Sequence, residues 1–149
     1  MRDVLTSVVG AIRPPSAAER SDATAGDATK ALHDGFLRSW PSLQTIEYLA
    51  PAQVPPAPRM LTVAAWNIER CKRVEDSADL IRQSGADIVL ATEMDLGMAR
   101  SGQRHTTRDL AAALGFGYVF ATEFVELGTG DAYETDQFAG VPNDHGLHG

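Results

Sequence analysis

The chain has 149 residues, 44% of them hydrophobic and 22% charged, with a formal net charge of −7. That is enough for one ordinary core plus an appendage, with the composition of a soluble globular protein. The acidic balance argues against tight nonspecific binding to a polyanion, because phosphate neutralisation by Lys and Arg supplies most of such affinity, and the single cysteine, Cys71, excludes an internal disulfide and suits a reducing compartment.

Val4 to Ile12 is the first apolar stretch. It falls short of the roughly 20 residues that span a bilayer. As a signal peptide it is flawed: Asp3 offsets Arg2, Thr6 and Ser7 interrupt it, and Arg13, Pro14 and Pro15 stand where a cleavage site belongs. A cytoplasmic protein is expected, with secretion left open. Residues 1–26 are rich in Ala, Ser, Thr and Asp, with little large apolar content after Ile12, which predicts a disordered segment. Residues 27–59 read as a helical arm and a Pro-rich linker. Ala31, Leu32, Phe36 and Leu37 share one helical face, and a second short helix is expected after Pro41 through Leu43, Ile46 and Leu49. Pro51, Pro55, Pro56 and Pro58 then predict an extended, semi-rigid connection.

Residues 60–149 carry the domain. LTVAAWNIER, Leu61 to Arg70, is a strand-like run apolar on both faces that gives way at Asn67, as expected for a strand covered on both sides. From Arg73 to Ser84, Val74, Ala78 and Ile81 recur at helical spacing and Gly85 stops the helix. In ADIVLATEMD, Ala86 to Asp95, a second apolar run ends at Thr92 and Glu93. Strand, helix and strand make a βαβ unit, so the strands are parallel and their carboxyl ends share the sheet edge at which open α/β sheets bind ligands. Asn67 and Glu93 are predicted to be spatial neighbours.

A second helix follows, with Thr106 and Asp109 at capping-box spacing, Leu110, Ala113 and Leu114 on its apolar face, and Gly115 at its end. Tyr118 to Val125 predicts a third strand, giving a β-α-β-α-β order and the α/β class. Arg100, Arg104, His105 and Arg108 sit in the loop and helix start after Glu93. Two readings stand for them: a phosphate clamp aided by the helix amides, or a solvated charged face. Residues 126–149 show neither period. His145 and His148 have an H-x-x-H spacing that suits a metal site, while GLHG also reads as the approach to another strand.

WNIER after one strand and ATEMD after the next resemble the two opening motifs of the endonuclease/exonuclease/phosphatase family, the metal-dependent phosphoesterases of the DNase I-like fold. The resemblance covers Met60 to Gly149. It implies that Asn67 helps to position the catalytic centre and that Glu93 ligates a divalent metal, Mg²⁺ or Mn²⁺. It also implies a four-layer α/β sandwich. Neither the Asp-x-Asn nor the Ser-Asp-His motif expected of its second half follows Phe124, and the Asp144-His145 dipeptide lies too early in the order of motifs for that role. The chain therefore reads as the amino-terminal part of that fold, with an unpaired edge, an uncovered sheet face and no general base of its own.

The expected function is therefore metal-dependent hydrolysis of a phosphate ester or phosphodiester, by a chain expected to be inactive alone. The substrate class spans small molecules, lipid-derived phosphoesters and nucleic acid. A noncatalytic fragment or binding module on the same framework is the alternative. An unrelated flavodoxin-like or Rossmann-like domain is disfavoured because no G-x-G-x-x-G follows the first strand.

Overall fold

The computed structural model describes residues 4–27, 29–54, 56 and 58–149. Its order is β1 (Ser7–Val9), α1 (Ala17–Thr24), α2 (Lys30–Ser39), β2 (Thr45–Leu49), β3 (Val63–Arg70), α3 (Val74–Ser84), β4 (Ile88–Leu96), α4 (Thr106–Leu114), β5 (Tyr118–Ala121), β6 (Phe124–Val125), α5 (Ala132–Gln137) and β7 (Leu147–His148). Among the described residues these five helices accompany two mixed sheets, ordered β1-β2-β5 and β3-β4-β7-β6. The class is mixed α/β.

The predicted βαβ unit is present. β3 and β4 are parallel, with Val63 opposite Ile88, Ala65 opposite Leu90 and Asn67 opposite Thr92. α3 forms where expected because Val74, Ala78 and Ile81 recur on one buried face, and Gly85 closes it at φ +68° in the left-handed region that only a residue without Cβ adopts freely. α4 packs beside α3, so both helices cover the same side of the strands, against Val89 and Ala91. Among the described residues nothing covers the opposite side: Val63, Ile88 and Leu90 are 54%, 41% and 60% exposed, and β3 lies at the sheet edge. Apolar residues on both faces of a strand do not require two covering layers within the same chain.

Several expectations need correction. The segment expected to be disordered, 1–26, carries β1 and α1, with Met1 to Asp3 outside the described residues. Composition missed two sources of order. Ser16 and Glu19 form a reciprocal capping box that starts α1, and β1 takes its hydrogen bonds from β2, a partner distant in sequence. After Pro41 there is one 3₁₀ turn, Pro41–Leu43, and then strand β2 in place of the expected helix. Thr45 and Tyr48 favour an extended chain, and β1 and β5 supply pairing on both edges. Pro55 of the predicted linker lies outside the described residues.

α4 is capped by the His105 side chain, which accepts from Arg108 N, while Thr106 is buried and exchanges hydrogen bonds with the Asp95 backbone. The predicted strand Tyr118 to Val125 is two strands in different sheets, β5 pairing with β2 and β6 with β7. The region beyond Glu126 holds α5 and β7. Its helix is only six residues long, too short to show a period, and starts at the Asp131–Glu134 capping box. No helix among the described residues is long and apolar enough to cross a membrane.

Candidate functional site

The carboxyl ends of β3 and β4 hold the two residues expected there. Asn67 Nδ2 donates to Glu93 Oε1 at 2.7 Å, and Asn67 Oδ1 accepts from Glu69 N at 3.2 Å. Beyond Asn67 the pairing register shifts, and Glu69, Arg70 and Cys71 take φ values of 49°, 69° and 48°. Glu93 itself sits at φ 63°. Four non-glycine residues in the left-handed region, at the ends of two adjacent strands, mark a strained edge. Each costs on the order of 1 to 3 kcal/mol and persists only where the surroundings over-determine it. The consequence is geometric, because the curled backbone brings the Arg70 guanidinium back onto Glu93 Oε2.

From Glu93 a chain of charges runs inward. Arg70 Nε lies 3.8 Å from Glu134 Oε1, and Lys72 Nζ lies 3.2 Å from the same oxygen. The other oxygen of Glu134 accepts from Arg100 Nη1 at 2.9 Å. Arg100 then grips Asp95 with two contacts, Nε to Oδ2 and Nη2 to Oδ1, each 2.9 Å. Asp95 Oδ1 also meets His148 Nδ1 at 2.7 Å. Arg100, Asp95, Glu134 and His148 are all buried. Burial alone would push the Asp95 and Glu134 carboxyls up, but the hydrogen bonds from His148 and Arg100 to Asp95, and from Arg100 and Lys72 to Glu134, hold both below the ordinary range. The bidentate fork suits such a site because it satisfies both carboxylate oxygens at once.

The four residues considered as a phosphate clamp are divided among different carboxylates. Arg100 belongs to the buried network just described. Arg104 bridges α3 and α4, with Nη2 2.9 Å from Glu75 Oε1 and Nε 2.6 Å from Asp109 Oδ2. Arg108 Nη2 and His105 Nε2 both meet Glu47 Oε1, at 2.8 and 3.0 Å. Glu47 is fully buried and also accepts from Ile12 N at 2.7 Å and from Tyr118 Oη. Burial opposes ionisation there, yet these donors win and bring its carboxyl down to about 2. Burial also pushes the His105 imidazole down, toward its neutral form. Arg108 and His105 share Glu47, while Arg100 and Arg104 face other carboxylates, so the four residues do not converge on one anion position.

The linear pattern does not unite Arg70, Lys72, Asp95, Glu134 and His148 in a common site. Arg70 stands inside WNIER and Asp95 inside ATEMD, so their positions were visible as charged residues at strand ends. Glu134 was not, since nothing local links residue 134 to the sheet edge. Cys71 is 1% exposed, and burial raises its thiol, which suits a packing role.

A divalent cation was expected at Glu93. Among the described residues no group of three or more His, Cys, Asp or Glu stands together to hold one. Both Glu93 oxygens already accept hydrogen bonds, from Asn67 and Arg70. Mg²⁺ usually keeps several waters and takes one or two carboxylates together with substrate phosphates, so Glu93 could serve as one ligand once its carboxylate is released from Asn67 and Arg70. His145 and His148 do not make a metal site: His148 is buried against Asp95, and the His145 ring packs beside Gly97. Compared with known protein families, curated proteins and solved structures, the chain has no match.

Proposed function

We propose that the carboxyl edge of β3 and β4 binds and orients a phosphoester in a metal-dependent phosphoesterase centre of the endonuclease/exonuclease/phosphatase type. The observation that carries this reading is the Asn67–Glu93 hydrogen bond at the strained ends of two parallel strands. Strand-end polar residues with ordinary backbone and no mutual contact would have suggested nothing beyond solvation. In this reading Asn67 orients a phosphate oxygen or the attacking water, and Glu93 is one ligand of Mg²⁺ or Mn²⁺. The other ligands and the general base are not assigned among the described residues. The exposed face of Val63, Ile88 and Leu90 becomes an internal surface of a four-layer sandwich. The substrate is a small or lipid-derived phosphoester in preference to duplex DNA, given the net charge of −7, and the setting is cytoplasmic.

The test is hydrolysis of p-nitrophenyl phosphate and bis-p-nitrophenyl phosphate with Mg²⁺ or Mn²⁺, in the protein as its gene encodes it, for wild type and Glu93→Gln. A fall of about two orders of magnitude or more, roughly 3 kcal/mol of transition-state stabilisation, is expected for the variant. Equal turnover in the two would sink the assignment of Glu93. The second reading, a noncatalytic module, draws on the saturated Glu93 carboxylate and the incomplete ligand set. It is the reading that survives if wild type shows no metal-dependent turnover of either ester.

A further inference from the structure

We propose that Arg70 and Lys72, held together by Glu134, form an anion site that takes the phosphoryl group of the ligand. The proposal rests on the phosphoester reading above and adds the residues that grip the anion. It differs from the sequence-expected clamp in geometry: Arg70, also paired with Glu93, and Lys72 meet at one carboxylate oxygen, Glu134 Oε1, whereas Arg104 and Arg108 face carboxylates in other places.

Arg70 Nε and Lys72 Nζ both approach one oxygen, Glu134 Oε1, and are therefore within reach of each other and of one small ligand. Their side chains keep 24% and 36% exposure, whereas Arg100, the third cation on Glu134, is 2% exposed and bound to Asp95 by both arms of its fork. Solvent reaches the first two and not the third. The Arg70 Nε is itself buried and makes no hydrogen bond among the described residues. A buried donor left unmet is uncommon, and a phosphate oxygen would satisfy it once the guanidinium turns outward from Glu134, whose Oε1 is 3.8 Å away. Next to Arg70 stands the Asn67–Glu93 pair, so an anion gripped here lies at the edge where the chemistry is proposed. Glu134 has a positioning role. Its α5 capping box fixes its own backbone, and its buried carboxylate keeps two flexible cations from diverging into solvent.

Inorganic phosphate titrated into the wild-type chain, read by calorimetry and by phosphorus NMR line width, tests the site. Saturable binding is expected, weakening as ionic strength rises, with about a tenfold or greater loss of affinity in Lys72→Ala. Arg70→Lys keeps the charge but not the fork and is expected to lose affinity as well. Arg104→Ala, whose guanidinium is engaged by Glu75 and Asp109, is expected to stay within about twofold of wild type. Far-UV circular dichroism checks folding, and Lys72→Met, which keeps most of the apolar stem, serves if the alanine variant is unfolded. Absent phosphate binding in wild type, unchanged affinity in a folded Lys72 variant, or an equal loss in Arg104→Ala would each overturn the proposal. Unchanged phosphate affinity in the Lys72 variants together with a large Glu93→Gln effect on ester hydrolysis removes the anion site alone, whereas a null Glu93→Gln effect removes the phosphoesterase reading.

Discussion

His148 Nδ1 lies 2.7 Å from Asp95 Oδ1, with both side chains buried, and this contact ties β7 to the carboxyl end of β4. Asp95 is also the carboxylate that compensates Arg100, so a single buried group holds a strand, the 3₁₀ turn Ala99–Ser101 and, through Arg100 and Glu134, the short helix α5.

Asp95→Asn therefore removes the charge that makes a buried guanidinium tolerable. Breaking such a pair from one side costs about 3 to 5 kcal/mol, because the remaining charge stays desolvated. The expected result is a large drop in the urea midpoint with little change in m-value. A loss below about 1 kcal/mol would show that Glu134 alone is enough to hold Arg100.

Acid should unfold the protein through Glu47. Its carboxyl is depressed from 4.5 to about 2 in the folded state. The stabilisation is thus fully present above about pH 4.5 and drains away as the pH falls toward 2, an amount on the order of 3 kcal/mol. Asp95 and Glu134 are depressed as well and act in the same direction. Urea midpoints measured at pH 7, 4.5 and 3 should fall steeply only over the last interval. Glu47→Gln should lower stability at pH 7 and flatten that fall, and an unaltered pH profile in the variant would remove Glu47 from the account.

Removing residues 1–26 should be costly, contrary to the expectation from composition. Ile12 is buried in the main core, its N–H donates to Glu47, and β1 covers one edge of β2. We expect a loss of several kcal/mol, since the deletion takes out a core residue, one hydrogen bond to a buried carboxylate and an edge strand. Differential scanning calorimetry of the shortened chain decides it, and an unshifted Tm would show that the segment does not contribute to the folded core.

Gly97→Ala is expected to destabilise strongly. Gly97 sits at φ +66°, and an added Cβ would stand 2.6 Å from the Cβ of His145, an atom that cannot rotate aside. Gly97 O also accepts from His145 N and Gly146 N, so the backbone cannot back away without losing those bonds. A cost of about 2 kcal/mol or more is expected from positive-φ strain and overpacking together, readable as a lowered urea midpoint. A near-neutral result would mean that the loop carrying His145 adjusts freely.

The βαβ unit was legible because its signals are local. The apolar runs of β3 and β4, the helical spacing of Val74, Ala78 and Ile81, and the glycines at 85 and 115 all act through backbone dihedrals and the burial of a single face. Parallel pairing followed from the handed crossover, and with it the meeting of Asn67 and Glu93. Short elements escaped for the complementary reason. β1, β7 and α5 have three, two and six residues, too few to show a period, and draw their order from partners elsewhere in the chain.

By itself, then, the sequence determined the α/β class, the parallel pair and the edge at which its polar residues collect. Only the tertiary structure decided what the charged residues do. Arg100, Arg104 and Arg108 look alike in a string, as three basic residues near a helix start. Their roles separate because Asp95 with Glu134, Glu75 with Asp109, and Glu47 come to different places around them. A dihedral preference belongs to a few adjacent residues, whereas the energy of an ion pair depends on a distance and a local dielectric that exist only after the chain has folded. That is why Arg70 and Lys72, which nothing in the linear pattern links to residue 134, become partly exposed cations on Glu134, with Arg70 also paired to Glu93.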